Sequence, residues 1–442
     1  MKRWLKIILF IVLGLGSFLL ALVGPIDRTP LADQDFYRSM RLAFDTLQLT
    51  NHPPSQSLQA SWGKISITPD HNMPMAGYRI RPRFEAVHDS LQARVIHIHN
   101  GAAAVYLISV DLLLFPPALK EKLHQAAKVE LNDPILFLSA THTHNGVGGW
   151  HESAAGEAIL GQYDSSWVNQ VSADLLTLMK QLKDKLGPAT LSHWQTDAQE
   201  YVENRLVRDA PKDGLLRGLL IHKHDGATAR LITFSAHPTN ISKHINLLSG
   251  DYPAALIKTL EEHGTFGLFM AGMVGSHRLT GINDVDFEVT TYAGRVLADK
   301  IRLSSSVAQP DLLEIKSSQI PIQLGPAQLR IASNLKLRNW VFARLLHPLQ
   351  GELTYLQLGT VVLIGTPCDF SGELYITQKL DSLSEAHGKN LIVTSFNGDY
   401  IGYITEDSHY DEVDKEEVRA MNWVGPYYGS YFADMIGRLI KK

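Results

Sequence analysis

Leu138-Ser139-Ala140-Thr141-His142-Thr143-His144-Asn145-Gly146-Val147-Gly148-Gly149 is the stretch on which the reading of this chain turns. An apolar run, Ile135 to Leu138, stops at two histidines set two apart, and a glycine-rich turn follows. On a strand, residues i and i+2 point to one face. The spacing therefore predicts both imidazoles leaving the same side of a sheet, where the glycines let a ligand or metal come close to the backbone. A chain with 19 histidines produces some H-x-H pairs by chance, so the segments that accompany this one decide its meaning. Leu231 to Phe234 is a second apolar strand, ending in Ser235-Ala236-His237-Pro238, and Pro238 cannot continue a central strand. Val361 to Ile364 is a third, ending at Gly365-Thr366-Pro367-Cys368-Asp369 and so delivering a carboxylate. Asn397 to Tyr403 supplies a glycine-hinged tyrosine pair, Tyr400 and Tyr403. Histidine, histidine, carboxylate and tyrosine from separate strand ends suit a catalytic zinc site, which uses about three protein ligands and keeps a position for water.

The pattern around these segments predicts an α/β fold, a mixed β-sheet domain with flanking helices and the metal site at strand ends. Arg94 to Gly101 leading into Val105–Val110 parallels Leu220 to Gly226 leading into Leu231–Phe234. Each reads as a β-hairpin with an Asn-Gly or Asp-Gly turn, and each precedes a proposed metal-site segment, as two related half-sheets meeting at the metal would require. His97, His99, His222 and His224 alternate beside those turns and are expected to face solvent. Helical spacing covers Val168–Lys185, Tyr252–His263, Tyr292–Ile301 and Tyr428–Ile440.

A net charge of −4 with 19% charged residues excludes a nucleic-acid partner, which demands a concentrated basic surface. The single cysteine, Cys368, excludes intrachain disulfides and thiolate metal clusters, and its place at a strand end predicts a buried structural thiol. Lys2, Arg3 and Lys6 precede an apolar run from Ile7 to Val23 that approaches the ~30 Å hydrocarbon core. The expectation is one N-terminal transmembrane segment over residues 1–24, an uncleaved signal anchor with a cytoplasmic N-terminus. A juxtamembrane lead-in (25–61) and a hydrolase domain (62–442) would follow, the latter outside the cytoplasm, periplasmic or extracellular.

Several segments together resemble the neutral, non-lysosomal ceramidases, zinc amidases that cleave the N-acyl bond of ceramide. Thr141 to Gly149 is similar to the family's T-H-T-H-S-G-P-G-G, Met75-Ala76-Gly77-Tyr78 to M-x-G-Y, and Ile108-Ser109-Val110-Asp111 to V-S-V-D. Asn204-Arg205 sits where the family has N-R-S-P. Phe234 to Thr239 resembles F-A-V-H-P-T, Leu248 to Asp251 resembles L-I-S-G-D, and Tyr403-Ile404-Thr405 resembles the end of G-Y-I-T. The likeness runs from about Trp62 to near the C-terminus. It implies no counterpart of the family's C-terminal immunoglobulin-like domain.

The resemblance implies His142, His237, Asp369 and Tyr403 as ligands of a Zn2+ ion, with His144 and Arg205 acting on the substrate amide and its developing oxyanion. Asp369 stands where the family has glutamate, which leaves Glu373 as the alternative ligand. The implied substrate is ceramide or a related lipid-like N-acyl amide. The family's polar S-S-N-x-G-D-V-S-P pocket stretch is replaced by Met270-Ala271-Gly272-Met273-Val274-Gly275-Ser276-His277, so an apolar pocket wall is expected there. Two other classes share the same residues: a zinc hydrolase of peptides, esters or phosphoesters, and a lipid-binding homologue without turnover.

Overall fold

Strand-forming runs recur along the sequence in two similar sets, and the sheet they build is correspondingly two-fold. The computed structural model describes residues 3–78 and 80–442. One half of the main sheet is β1 (Gln59–Ser66), β2 (Gln92–His99), β3 (Ala104–Val110) and β4 (Ile135–Ala140). The other is β5 (Gly187–Asp197), β6 (Leu215–Lys223), β7 (Thr228–Phe234) and β8 (Thr265–Ala271). Their order is β8-β7-β6-β5-β1-β2-β3-β4, with the short strand Ser306–Ala308 added on β5. Outward from the β1–β5 seam, each half pairs antiparallel twice and then parallel. The seam itself is short, Gln59 opposite Pro188 and Ala60 opposite Gly187. Both expected hairpins form, their turn glycines Gly101 and Gly226 at φ 90° and 92°, where a side chain is strained.

Parallel neighbours need a crossover, and each half has a helix between its two outer strands. These are α1 (Pro117–Glu130), between β3 and β4, and α2 (Asp251–Glu262), between β7 and β8. The crossovers make β3 and β4 end together in one half and β7 and β8 end together in the other, and the loops that follow β4 and β7 carry the site.

A second sheet runs Thr50–His52, β9 (Ile315–Ile322), β10 (Gly351–Leu358), β11 (Val361–Gly365) and β12 (Asn390–Thr394). It stacks on the first through one apolar layer in which Leu107, Phe137, Leu268 and Met270 join Leu356, Leu363 and Ile392. Helices close both outer faces. Leu175, Met179 and Leu182 of Ser165–Asp184 cover Val95 and Ile108, while Phe432, Met435 and Ile436 of Tyr428–Ile440 cover Tyr355 and Val362. A strand between a sheet and a helix layer has no wet face, which is why β2 is buried along both sides.

Three expectations are corrected. The N-terminal segment is a helix, Arg3–Leu22, but among the described residues no helix is long and apolar enough to cross a membrane. The helix stops at Leu22 because Val23–Pro25 turns into a strand paired with Leu335–Leu337. Met1 and Lys2, and the side chains of Arg3, Leu5, Lys6, Leu9 and Leu15, lie outside the described residues, and with them the basic flank of that expectation. Residues 25–61 are part of the folded body, not a lead-in: Asp35–Thr46 buries Met40 and Phe44, and Thr50–His52 joins the second sheet. His97 is fully buried and stacked on Tyr106 at 4.1 Å, because a strand covered by helices on its outer face leaves no solvent for alternation to find.

Candidate metal centre

β4 ends at Ala140, and the histidines fall beyond it. Their convergence is not the strand alternation read from the sequence. His142 adopts φ 64°, a left-handed conformation that turns the chain sharply, and the loop then brings His144 back beside it. Gly77 makes the loop possible: it sits at φ 119°, and a Cβ there would lie 2.3 Å from the His144 Cα. His237 arrives from the end of β7.

The three imidazoles meet at their Nε2 atoms. His142 and His237 are 3.0 Å apart, His144 and His237 2.9 Å, and His142 and His144 3.3 Å. All three side chains are buried, and they are the one group of three or more such side chains among the described residues arranged to hold a metal ion. The other ring nitrogens fix the tautomers. His142 Nδ1–H donates to the Leu113 carbonyl at 2.6 Å, leaving its Nε2 as a lone pair. His237 Nδ1 lies 3.3 Å from both the Val274 carbonyl and Arg205 Nη2; directing its proton to Val274 likewise turns a lone pair inward. Burial holds His144 and His237 well below the ordinary imidazole range, so they stay neutral, the form that ligates metals. Neutral lone pairs crowded within 3.3 Å of one another repel unless a cation lies between them. The donor set fits zinc.

Asp369 and Tyr403 are delivered together, because Asp369–Phe370 pairs in parallel with Tyr403–Ile404. Asp369 Oδ1 has no hydrogen-bond donor and lies 3.3 Å from His142 Nε2, while Oδ2 accepts from the Tyr400 hydroxyl at 2.7 Å. Glu373 is turned elsewhere, accepting from Asn204 at 2.9 Å and facing His409 at 3.5 Å. Tyr403 stacks on His237 and accepts a hydrogen bond from Arg205 Nη2 at 3.0 Å. Arg205 Nη1 is tied to Glu417 at 2.8 Å. Six sequence-derived residues, His142, His144, Arg205, His237, Asp369 and Tyr403, thus line one cavity of about 1880 Å³.

Sequence reasoning missed three supporting groups. Tyr400 was visible as half of the tyrosine pair, but its bond to Asp369 was not. Glu417 sits in an ordinary acidic run with no spacing signal. Phe396, whose ring stacks on His142 at 4.1 Å, is one aromatic among many. Met270 to His277 is corrected as well: none of it lines the cavity. It supports the centre from behind, through the Val274 carbonyl on His237 and the Ser276 carbonyl that accepts from the Arg205 backbone amide. The apolar wall comes instead from Leu113, Phe115, Trp150, Leu160, Phe342 and Leu349. Cys368 is buried, and burial pushes its thiol up, away from the reactive thiolate.

These contacts give a prediction about the carboxylate. Partners that orient a metal ligand are worth about 10–100-fold in affinity, so Tyr400→Phe is expected to weaken zinc binding by that factor. Asp369→Asn weakens it more, and Glu373→Gln leaves it unchanged. Titration of the apo-protein against a competing chelator measures all three, and an effect confined to Glu373→Gln would reassign the carboxylate.

No protein-family model matches the chain, and no curated protein does. Among solved structures, the neutral ceramidase from Pseudomonas aeruginosa is similar with a TM-score of 0.75 at 18% identity, over 88% of this chain and 75% of that one. A ceramidase complexed with C2 is similar with a TM-score of 0.72 at 16% identity, over 88% and 76%. Likeness at such identities is likeness of fold.

Proposed function

We propose, for a chain that has the fold of neutral ceramidase and a buried three-histidine centre, that it is a zinc-dependent amidohydrolase cleaving the N-acyl bond of ceramide or a related lipid-like amide. The observation that carries this reading is the convergence of the His142, His144 and His237 Nε2 atoms with the unpaired Asp369 Oδ1 at the floor of a large, partly apolar cavity. His142, His237, Asp369 and Tyr403 would hold the metal, with His144 close enough to join them. When bound, zinc supplies a water acidic enough to ionise near neutral pH.

The chain's own residues account for the rest. Arg205, held by Glu417 and Tyr403, presents a cation beside the histidines, where charge develops on the carbonyl oxygen during attack. His144 shares that side of the centre. The apolar wall takes the acyl chain and excludes water, which strengthens both interactions. A basic N-terminal flank before an apolar run supports an extracytoplasmic placement for this activity.

The test is direct. Purified protein is expected to contain one zinc, to lose hydrolysis of N-acyl amides on chelation, and to regain it with added zinc. Metal-free protein of unchanged activity would defeat the zinc reading, and metal-replete protein inert toward amides would defeat the amidase reading.

A further inference from the structure

Arg81 is a buried guanidinium without a counter-charge. It lines the cavity and is only 7% exposed, and its Nε finds no acceptor. No carboxylate pairs with it among the described residues. Its Nη1 donates to the His144 carbonyl at 2.8 Å, and Nη2 donates to the Ile245 carbonyl at 2.6 Å. Tyr78 lies below it, with the guanidinium 5.4 Å from the ring centroid, and the same ring is 5.0 Å from that of His144. Removal from water pushes the Arg81 guanidinium below its ordinary value. Backbone carbonyls relieve part of the cost of burying this charge, but a buried charge is normally paired with an opposite one. The neighbouring loop adds positive charge to the same wall, since Lys243 lines the cavity and is exposed.

We infer that Arg81 forms a subsite for a carboxylate carried by the amine half of the substrate, so that the preferred substrates are N-acyl amino acids. This rests on the amidase reading and narrows it. Position assigns the anion to the amine half. Arg81 is bonded to the backbone of a centre residue, so its partner lies within a few bonds of the scissile amide, whereas an acid at the far end of an acyl chain would lie along the apolar wall. The site then has a chemical logic absent from a neutral headgroup: the guanidinium loses its water only once and recovers a charged hydrogen bond when substrate binds.

The comparison to make is kcat/KM for N-palmitoylglycine against its methyl ester, which has the same chain and amide without the charge, in the zinc-replete enzyme. A preference for the acid of about tenfold or more is expected, on the scale of a desolvated charge pair. Arg81→Met should remove that preference while zinc content stays at one, and Arg81→Lys should keep part of it. Equal rates on both substrates in the unaltered enzyme would overturn the carboxylate subsite and leave the amidase reading intact. A preference that survives in Arg81→Met would overturn the assignment to Arg81. Cleavage of neither substrate alongside hydrolysis of ceramide would overturn the carboxylate subsite alone, and cleavage of none of the three would overturn both readings. The wild-type comparison decides the inference even if the methionine variant fails to fold.

Discussion

His142→Ala and His237→Ala are each expected to leave the protein folded, free of zinc and without hydrolytic activity. Each removes an Nε2 that lies within 3.3 Å of both other ring nitrogens in the cluster. A site that keeps a coordination position for water has about three protein ligands, and losing one removes most of its affinity. Fold is spared because the sheet behind the site is built by other residues, and neither imidazole carries a strand pairing. The measurement is metal content after dialysis beside a circular dichroism melt. Full zinc occupancy in either variant would remove that histidine from the ligand set.

Arg205→Ala has the second largest expected effect, and it separates chemistry from binding. Its guanidinium contacts Tyr403, Glu417 and the His237 ring, but it is not itself a metal ligand. The variant should retain zinc and lose roughly 10²–10³ in kcat, the scale on which an oxyanion donor acts, with KM changed much less. A loss confined to KM would mean that Arg205 binds substrate equally before and during reaction, and unchanged turnover would mean that it only packs.

The strand-end positions of His142, His237 and Asp369 were legible because an apolar run that stops at a chemically active residue is a local signal. The paired hairpins were legible for the same reason, each carrying its own Asn-Gly or Asp-Gly turn. What the sequence did not disclose depends on layers stacked from distant segments. His97 reads as exposed until the Ser165–Asp184 helix is placed over its strand. Met270 to Ser276 reads as pocket wall until the site is seen to lie on the other side of His237. The αL turn at His142 has no decisive residue-level signature, since only a few per cent of non-glycine residues adopt it; only Gly77, packed against His144, hints that the loop is tightly wound. The N-terminal run was legible as a helix, but not its end at Val23, where the chain enters a strand paired with a distant segment.

The two halves of the main sheet each carry one histidine of the His142–His237 pair, and they divide the labour in opposite ways. In the first half the outer strand leads to His142, and the carbonyl that fixes its tautomer, Leu113, follows the inner strand. In the second half the inner strand leads to His237, and the fixing carbonyl, Val274, follows the outer one. Each tautomer is therefore fixed by a carbonyl of its own half, while Phe396 and Tyr403 stack on the rings from outside the main sheet. The halves meet along the β1–β5 seam, only two residue pairs wide, and through Arg94 on Glu261 and the Gly267 carbonyl and Ser109 on the Phe269 carbonyl. A metal held between His142 and His237 would therefore clamp one half of the sheet to the other.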